Sequence, residues 1–179
     1  MTRTEIFDRI YDAYCTWYDM TRHGEDEAPF AAVGEFHSTD STYVLSRKVT
    51  VWSANSNDYL YVFTADTFTS DEVMKCIELA RTEGEAKISP DKDHRSSYVT
   101  ALFICDHADS AVVKAVKGYR YRKDFTFGLK GWEEVHTAVI TVSDSKVITN
   151  GDGRNTAKFL KSIVVPKKKN VSKVKQKGV

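Results

Sequence analysis

Apolar side chains recur every three to four residues in four segments of the chain, which predicts four helices. The first two begin at capping-box patterns, in which Thr2 and Thr69 are each followed three residues later by a glutamate. The third follows Asp106 or Asp109, because either carboxylate can accept backbone N–H groups at a helix start. The fourth covers residues 155–164.

Six runs rich in β-branched and aromatic residues predict strands over residues 30–38, 42–53, 59–65, 97–105, 119–127 and 133–143. The polar residues 39–41 and 54–58 between them have the composition of turns. The runs at 59–65 and 97–105 are apolar on both faces, which is typical of buried strands. We expect the second of these to lie at the centre of the sheet.

Together these elements predict one α+β domain over residues 1–165, a usual size for a single hydrophobic core. The predicted order is α-βββ-α-β-α-ββ-α. We expect a single mixed or antiparallel sheet with the helices on one face.

The stretch EFHSTDSTYVLSRKVTVWSANSNDYLYVF, residues 35–63, together with the tyrosine-rich first helix, resembles a family of small uncharacterised bacterial and archaeal α+β proteins. The resemblance extends over most of residues 1–160. It implies a shared fold and no activity, so it assigns no site residues.

Charge is unevenly distributed along the chain. Residues 166–179 contain no acidic residue and six lysines, namely Lys167, Lys168, Lys169, Lys173, Lys175 and Lys177. The remaining residues carry 20 of the 26 basic side chains and all 25 acidic ones, a formal −5 within a chain of net +1. This tail lacks apolar periodicity, so we expect it to be disordered in isolation and to bind a polyanion, nucleic acid first, through salt-sensitive contacts. An anionic membrane surface and a protein partner fit the same charge pattern.

No apolar run approaches the length of a membrane span, and the first ten residues are too charged for a signal peptide. We therefore expect a cytoplasmic protein. Cys15, Cys76 and Cys105 are widely spaced and form no CxxC pair, which predicts buried thiols rather than a disulfide or a zinc site. The sequence contains no P-loop, GxGxxG or HExxH motif, and we expect no cofactor and no metal.

Two Glu-x-His pairs offer a different chemistry. Glu35 and His37 lie on an early predicted strand, and Glu134 and His136 lie on a late one. Because residues two apart share a strand face, the four side chains would converge if the strands were neighbours, as a metal-dependent, nuclease-like hydrolase requires. Polar pairs on solvent-facing strand positions give the same pattern, and we favour that interpretation.

The stretch GYRYRKDFTFGLKGW, residues 118–132, alternates aromatic and basic side chains along a predicted hairpin. We expect its rings to pack in the core, since such alternation is typical of a half-buried strand. The opposite side carries Arg120 and Arg122, which we expect to join the lysine tail in contacting a polyanion. Lys123 interrupts the aromatic side, which predicts either a β-bulge or a lysine that reaches the edge.

The favoured prediction is therefore a non-enzymatic binding or adaptor domain whose lysine-rich tail contacts a polyanionic partner. The alternative is a metal-dependent enzyme that uses the two Glu-x-His pairs.

Overall fold

The structure is a computed structural model that describes residues 1–24, 29–43 and 50–165, with the backbone alone at 40–43 and 50–54. The tail predicted at 166–179 lies outside the described residues. The elements are α1 (Arg3–Tyr14), β1 (Asp19–Arg22), β2 (Ala32–Tyr43), β3 (Thr50–Ala65), α2 (Ser70–Lys87), β4 (His94–Cys105), α3 (Ser110–Gly118), β5 (Arg122–Asp124), β6 (Trp132–Thr141), β7 (Lys146–Thr149) and α4 (Arg154–Val164).

All described strands form one mixed sheet in the order β1-β2-β3-β4-β6-β5, and β7 also pairs with β6. Strands β3, β4 and β6 are parallel, whereas the other pairs are antiparallel. The α+β class, the single mixed sheet and the predicted order are confirmed, and β1 and β7 are short strands that lie outside the predicted runs. Strand β4 lies at the centre, as predicted.

Helices cover both faces of this sheet. Tyr59, Tyr61 and Phe63 of β3 point to the face that is covered by α2 and α3, called the α2 face below. Leu60 and Val62 point to the opposite face, covered by α1 and α4 and called the α1 face. The prediction of helices on one face was wrong, because central strands that are apolar on both sides need two covering layers.

The chain path explains which helices share a face. The connections β3-α2-β4 and β4-α3-β6 step across the sheet in the same direction. Crossovers between parallel strands are almost always right-handed, so two steps in one direction put both helices on the same side. The first and last helices of the chain then cover the other side.

The predicted turns at 39–41 and 54–58 were wrong, because these residues lie inside β2 and β3. Their Asn, Asp and Ser residues favour turns locally, but the antiparallel pairing from Ala32–Val62 to Tyr43–Thr50 supplies each backbone with a partner. The predicted strand at 42–53 is divided between the two strands, and residues 44–49 lie outside the described part.

The predicted helix starts are confirmed. Thr2 and Thr69 each form a complete capping box. Asp109, rather than Asp106, caps α3, because its Oδ1 accepts the Val112 N–H at 2.8 Å. Of the three thiols predicted to be buried, that of Cys105 is buried while Cys15 is exposed and Cys76 is half-buried.

None of the helices in the described part combines the length and the apolar composition needed to cross a bilayer.

The close approach of α2 to the sheet depends on Gly84. A Cβ atom at this position would lie 2.5 Å from Cγ2 of the buried Val99. We predict that Gly84→Ala lowers the free energy of unfolding by about 1–3 kcal/mol in urea titrations, because the cost of overpacking exceeds the helix propensity that alanine adds.

Gly118→Ala is the matched control, because nothing lies within 4 Å of a Cβ atom there and the residue also belongs to a helix. We expect this change to be neutral or slightly stabilising. Val99→Ala should cost less in the Gly84→Ala background than in the wild type, since it makes room for the new methyl group. If the losses in the free energy of unfolding caused by Gly84→Ala and Val99→Ala simply added in the double variant, the proposed clash between the two side chains would be contradicted.

Candidate binding surface at the polar end of the sheet

The apolar core stops before the strands do, and five strands carry polar or aromatic side chains at one level. Neighbouring positions on each strand point to opposite faces, so this level holds two rows. The row on the α2 face, called the α2-face row, crosses β2, β3, β4, β6 and β5 in register and consists of His37, Asn57, Ser97, Glu133 and Lys123. The row on the opposite side, called the α1-face row, consists of Phe36, Asp58, Tyr98, Glu134 and Arg122.

The α2-face row is tied together by a chain of hydrogen bonds. His37 Nδ1 lies 2.8 Å from Asn57 Oδ1, Asn57 Nδ2 donates to Ser97 Oγ at 3.2 Å, and Ser97 Oγ lies 2.8 Å from His94 Nε2. His94 Nδ1 contacts the Lys130 carbonyl at 2.6 Å. Because a carbonyl only accepts, Nδ1 carries the proton and Nε2 accepts from Ser97. Ser97 is completely buried, so this serine–histidine pair is closed to a substrate.

Glu133 is the exception in this row, because it is fully buried and neither carboxylate oxygen has a hydrogen-bond partner among the described residues. Burial, reinforced by the nearby Glu85 carboxylate, raises the pKa of Glu133 to about 7, while Lys123 and Arg81 act in the opposite direction. The side chain therefore exchanges its proton near neutral pH.

A polar cleft of about 320 Å³ lies beside the exposed end of this row, and His37, Asn57, Lys87, Asp91 and His94 are among its lining residues. The Lys87 ammonium contacts Glu35 at 2.6 Å across the rim. The predicted pair of Glu35 and His37 lies here, with 3.8 Å between Oε2 and Nε2.

The two Glu-x-His pairs do not converge. Glu35 and His37 point to the α2 face, whereas Glu134 and His136 point to the α1 face. Strands β3 and β4 also separate the two pairs. The convergence that the metal-dependent alternative requires is therefore wrong, because it assumed neighbouring strands and a common face. Within the described residues, no three His, Cys, Asp or Glu side chains come together to hold a metal ion.

The α1-face row is half-buried and contains a second perturbed carboxyl. Burial raises the pKa of Asp58 to about 6, against the opposing effects of the Tyr18 hydroxyl and His136. The His136 ring stacks on Tyr98 at 5.2 Å between centroids, and its Nε2 lies 3.0 Å from Glu134 Oε1. Charge, hydrogen-bonding groups and flat rings thus occur together on one side of the sheet.

A run of aromatic contacts connects this row to α4. Phe36 lies against Tyr18 with 5.5 Å between ring centroids, and Tyr18 contacts Tyr14 at 4.9 Å. Tyr14 in turn contacts Phe159 of α4 at 5.0 Å. The helix and the α1-face row are therefore joined by a continuous run of rings that passes through the buried Tyr14.

The arginines that the sequence assigned to a polyanion both lie beside acids. Arg120 is 3.8 Å from Asp152, and Arg122 is 3.1 Å from Asp124 and 3.8 Å from Glu134. Their charges are therefore partly neutralised within the protein.

The hairpin of residues 118–132 is only partly core. Phe127 lies in the turn, is 102% exposed and has a positive φ of 55°, so its ring does not pack as expected. Lys123 is 44% exposed and forms an ion pair with Glu85 of α2. The lysine thus reaches the edge, which was one of the two predicted outcomes, and its exposure gives this strand no buried catalytic amine.

Helix α4 carries a basic side that the sequence analysis missed. Arg154, Lys158 and Lys161 are exposed, and their spacing of four and three residues puts them on one side of the helix. Helix α4 contains no acidic residue, and none of the three cations forms an ion pair with another described residue. The intervals between these three cations can be read from the sequence, whereas the helix there was predicted from its apolar residues alone.

The chain belongs to DUF8052, a family described as a domain of unknown function, which matches residues 2–162. This finding confirms the resemblance to an uncharacterised family. No curated protein and no solved structure matches the chain.

The burial of Glu133 predicts a pH-dependent stability. Its carboxyl group ionises near the ordinary value of 4.5 in the unfolded chain and near 7 in the folded protein, so the folded state binds more protons between these values. This group therefore stabilises the fold fully below pH 4.5, and the contribution is lost as the pH rises towards 7. Through this group, the free energy of unfolding should fall by about 3 kcal/mol over this pH range.

Glu133→Gln removes this titration while keeping the shape of the side chain. In urea titrations from pH 4.5 to pH 8, we expect the variant to gain stability relative to the wild type as the pH rises. If the free energies of unfolding of the two proteins changed with pH in the same way, Glu133 would have a partner that stabilises its charged form, which would contradict the prediction.

Proposed function

We propose that the protein is a non-enzymatic binding domain that holds a polyanionic partner, a nucleic acid, along its C-terminal basic segment, residues 153–179. This segment contains no acidic residue and nine cations, namely Arg154, Lys158, Lys161, Lys167, Lys168, Lys169, Lys173, Lys175 and Lys177. The observation that carries the proposal is the basic side of α4, whose cations pair with no acid in the described part of the chain and extend the charge of the tail onto a folded surface.

The spacing of the cations on α4 suits a phosphate backbone. Arg154 and Lys161 are seven residues apart, which corresponds to about 10 Å along the helix axis. Successive phosphates on one strand of a duplex rise by about 3.4 Å along the duplex axis, so three helix cations span a few consecutive phosphates. Each contact releases condensed counterions, and the affinity should therefore fall steeply with salt.

Arg120 and Arg122 belong to the proposed interface as weaker contributors. Each must give up an interaction with a neighbouring carboxylate before it contacts a phosphate. The cations of α4 have no such competitor among the described residues, so we assign them the larger share of the affinity on the body.

Two further observations favour binding over catalysis. The pair of Ser97 and His94 is buried, and the two Glu-x-His pairs face opposite sides of the sheet. A cytoplasmic location, where nucleic acids are accessible, fits the proposal.

Charge reversal on α4 tests the proposal directly. We predict that the double variant Lys158→Glu, Lys161→Glu weakens binding of a fluorescein-labelled 20-nucleotide single strand roughly tenfold or more, as measured by anisotropy at moderate salt. The slope of log affinity against log salt should become shallower by roughly 1.5, because two phosphate contacts are lost.

Lys114→Glu, Lys117→Glu is the matched control, because it makes the same charge change on the exposed side of α3, over the opposite face. It should alter the affinity far less than the α4 variant. Deletion of residues 166–179 should also weaken binding, and the two changes should reduce the salt slope together. If the α3 and α4 variants weakened binding equally, net charge alone would explain the interaction. This result would overturn the assignment to α4.

A further inference from the structure

We infer that the α1-face row is a base-binding surface for single-stranded nucleic acid, in which the rings of Tyr98 and Trp132 stack on nucleobases. The Glu134 carboxylate, which His136 and Arg122 hold beside these rings, then accepts a hydrogen bond from an exocyclic amino group of a base. This inference rests on the proposed function, because the phosphates of the same strand are held by α4.

The row alternates rings and carboxylates across the sheet. Phe36, Asp58, Tyr98 and Glu134 occupy successive strands in register, at a strand spacing of about 4.8 Å. A base that lies on Tyr98 therefore has the strand of Glu134 about 5 Å to one side of its centre. On the other side, the Asp58 carboxyl group is desolvated by burial and hydrogen-bonded to the Tyr18 hydroxyl. Carboxylates accept from base amino groups, as glutamate and aspartate do with cytosine N4.

The helices leave the β4 and β6 part of this row open, whereas Tyr18 contacts Phe36 and Asp58 on the β2 and β3 part. Their packing begins at the level of Leu60, Leu102 and Ala138, two or more residues further along the strands. In the part of the chain that the structure describes, no partner contacts the Tyr98 hydroxyl or the Trp132 indole N–H. Both rings are half-buried, so each is held in place by the sheet while a donor group stays available at its edge.

Trp132 gives a second stacking position. It lies on the same face as Glu134, two residues before it, and it is paired with Ser96 of β4. From the strand spacing and the rise per residue, its Cα lies about 8 Å from that of Tyr98, a separation suited to consecutive unstacked bases. The Arg122 guanidinium lies over one side of the Trp132 ring at 4.8 Å, so a base stacks on the other side of this ring.

The basic side of α4 lies within reach of the row. Phe159, the neighbour of Lys158, starts the run of ring contacts that passes through Tyr14 and Tyr18 to Phe36, with steps of 4.9–5.5 Å. This path is about three ring contacts long. Single-strand-binding folds cover about 4–16 nucleotides, which is enough to contact both surfaces.

The chemistry of the row favours bases over other anionic partners. Glu134 repels phosphate groups and lipid head groups, and it would serve no purpose for a ligand that offers only negative charge. A duplex hides the edges of its bases in pairing, whereas a single strand presents both the edges and the ring faces. The expected ligand is therefore a single strand whose phosphates contact α4 and whose bases lie on the row.

The test uses the full chain and three labelled probes: a mixed-sequence 20-nucleotide single strand, its duplex, and heparin as a polyanion without bases. The wild type should bind the single strand more tightly than the duplex. Tyr98→Leu, Trp132→Leu should weaken single-strand binding by about 10- to 100-fold, because stacking contributes about 1–3 kcal/mol per base. Its affinity for heparin and its salt slope should remain those of the wild type.

Two further variants keep this test independent of folding. Trp17→Leu removes a ring that is 70% exposed at the end of α1, outside the row, and should leave all three affinities unchanged. Glu134→Gln retains both stacking rings and should reduce the preference for cytosine-rich over thymine-rich strands. Thermal unfolding of each variant verifies that it is folded.

The outcomes separate the inference from the proposed function. If the ring variant binds the single strand as the wild type does, the base-binding surface is refuted and the α4 interface stands. If it loses heparin and single strand equally, the row serves the structure alone and the inference again fails. If the α4 charge reversal leaves all three probes bound, the proposed function is wrong as well.

Discussion

Burial of β3, β4 and β6 on both faces is the constraint on which the rest of this structure depends. Three parallel strands that are apolar on each side need helices above and below, and the two crossovers supply only one of these layers. Helices α1 and α4, from the two ends of the described chain, must therefore form the other layer. Because four helices are too short to cover the full length of β2 and β3, the strands continue beyond the core, and their side chains there are polar or aromatic.

The two rows at this end of the sheet differ in how their polar side chains are surrounded. On the α2 face, the end of α2 and the hairpin turn enclose the middle of the row. Asn57 and Ser97 are hydrogen-bonded there inside the protein, whereas Glu133 has no hydrogen-bond partner among the described residues. On the α1 face, no helix covers Tyr98 and Glu134, which stay at the boundary with solvent, whereas the Asp58 carboxyl group is desolvated by burial and hydrogen-bonded to Tyr18. Glu134 already contacts His136 and Arg122 here, so the half-buried rings of Tyr98 and Trp132 are the groups of this row that can gain most from a ligand. We therefore place the proposed ligand on the α1 face.

Local patterns predicted the helices well, because a capping residue such as Asp109 acts within one turn of its own position. The same local rules misplaced the turns at 39–41 and 54–58, since pairing between strands outweighs the turn preference of residues such as Asn55 and Asn57. The rows could not be predicted from one sequence: Asp58, Tyr98 and Glu134 become neighbours only through a register that no single strand encodes. The basic side of α4 is different, because the spacing of Arg154, Lys158 and Lys161 was visible without a structure.

The edge-to-face contact of Tyr14 with Phe159 has a consequence for how the protein is made. It joins the first helix of the chain to the last, across almost the whole described sequence. During synthesis, α1 leaves the ribosome long before α4 exists, and Ile6 and Ile10 cannot be fully covered until the end of the domain is complete. Contacts of such long range slow folding, because the closure entropy is spent before the contact forms. The nascent chain therefore exposes one apolar face of its sheet throughout elongation, and this is the stage at which chaperones have the most surface to bind.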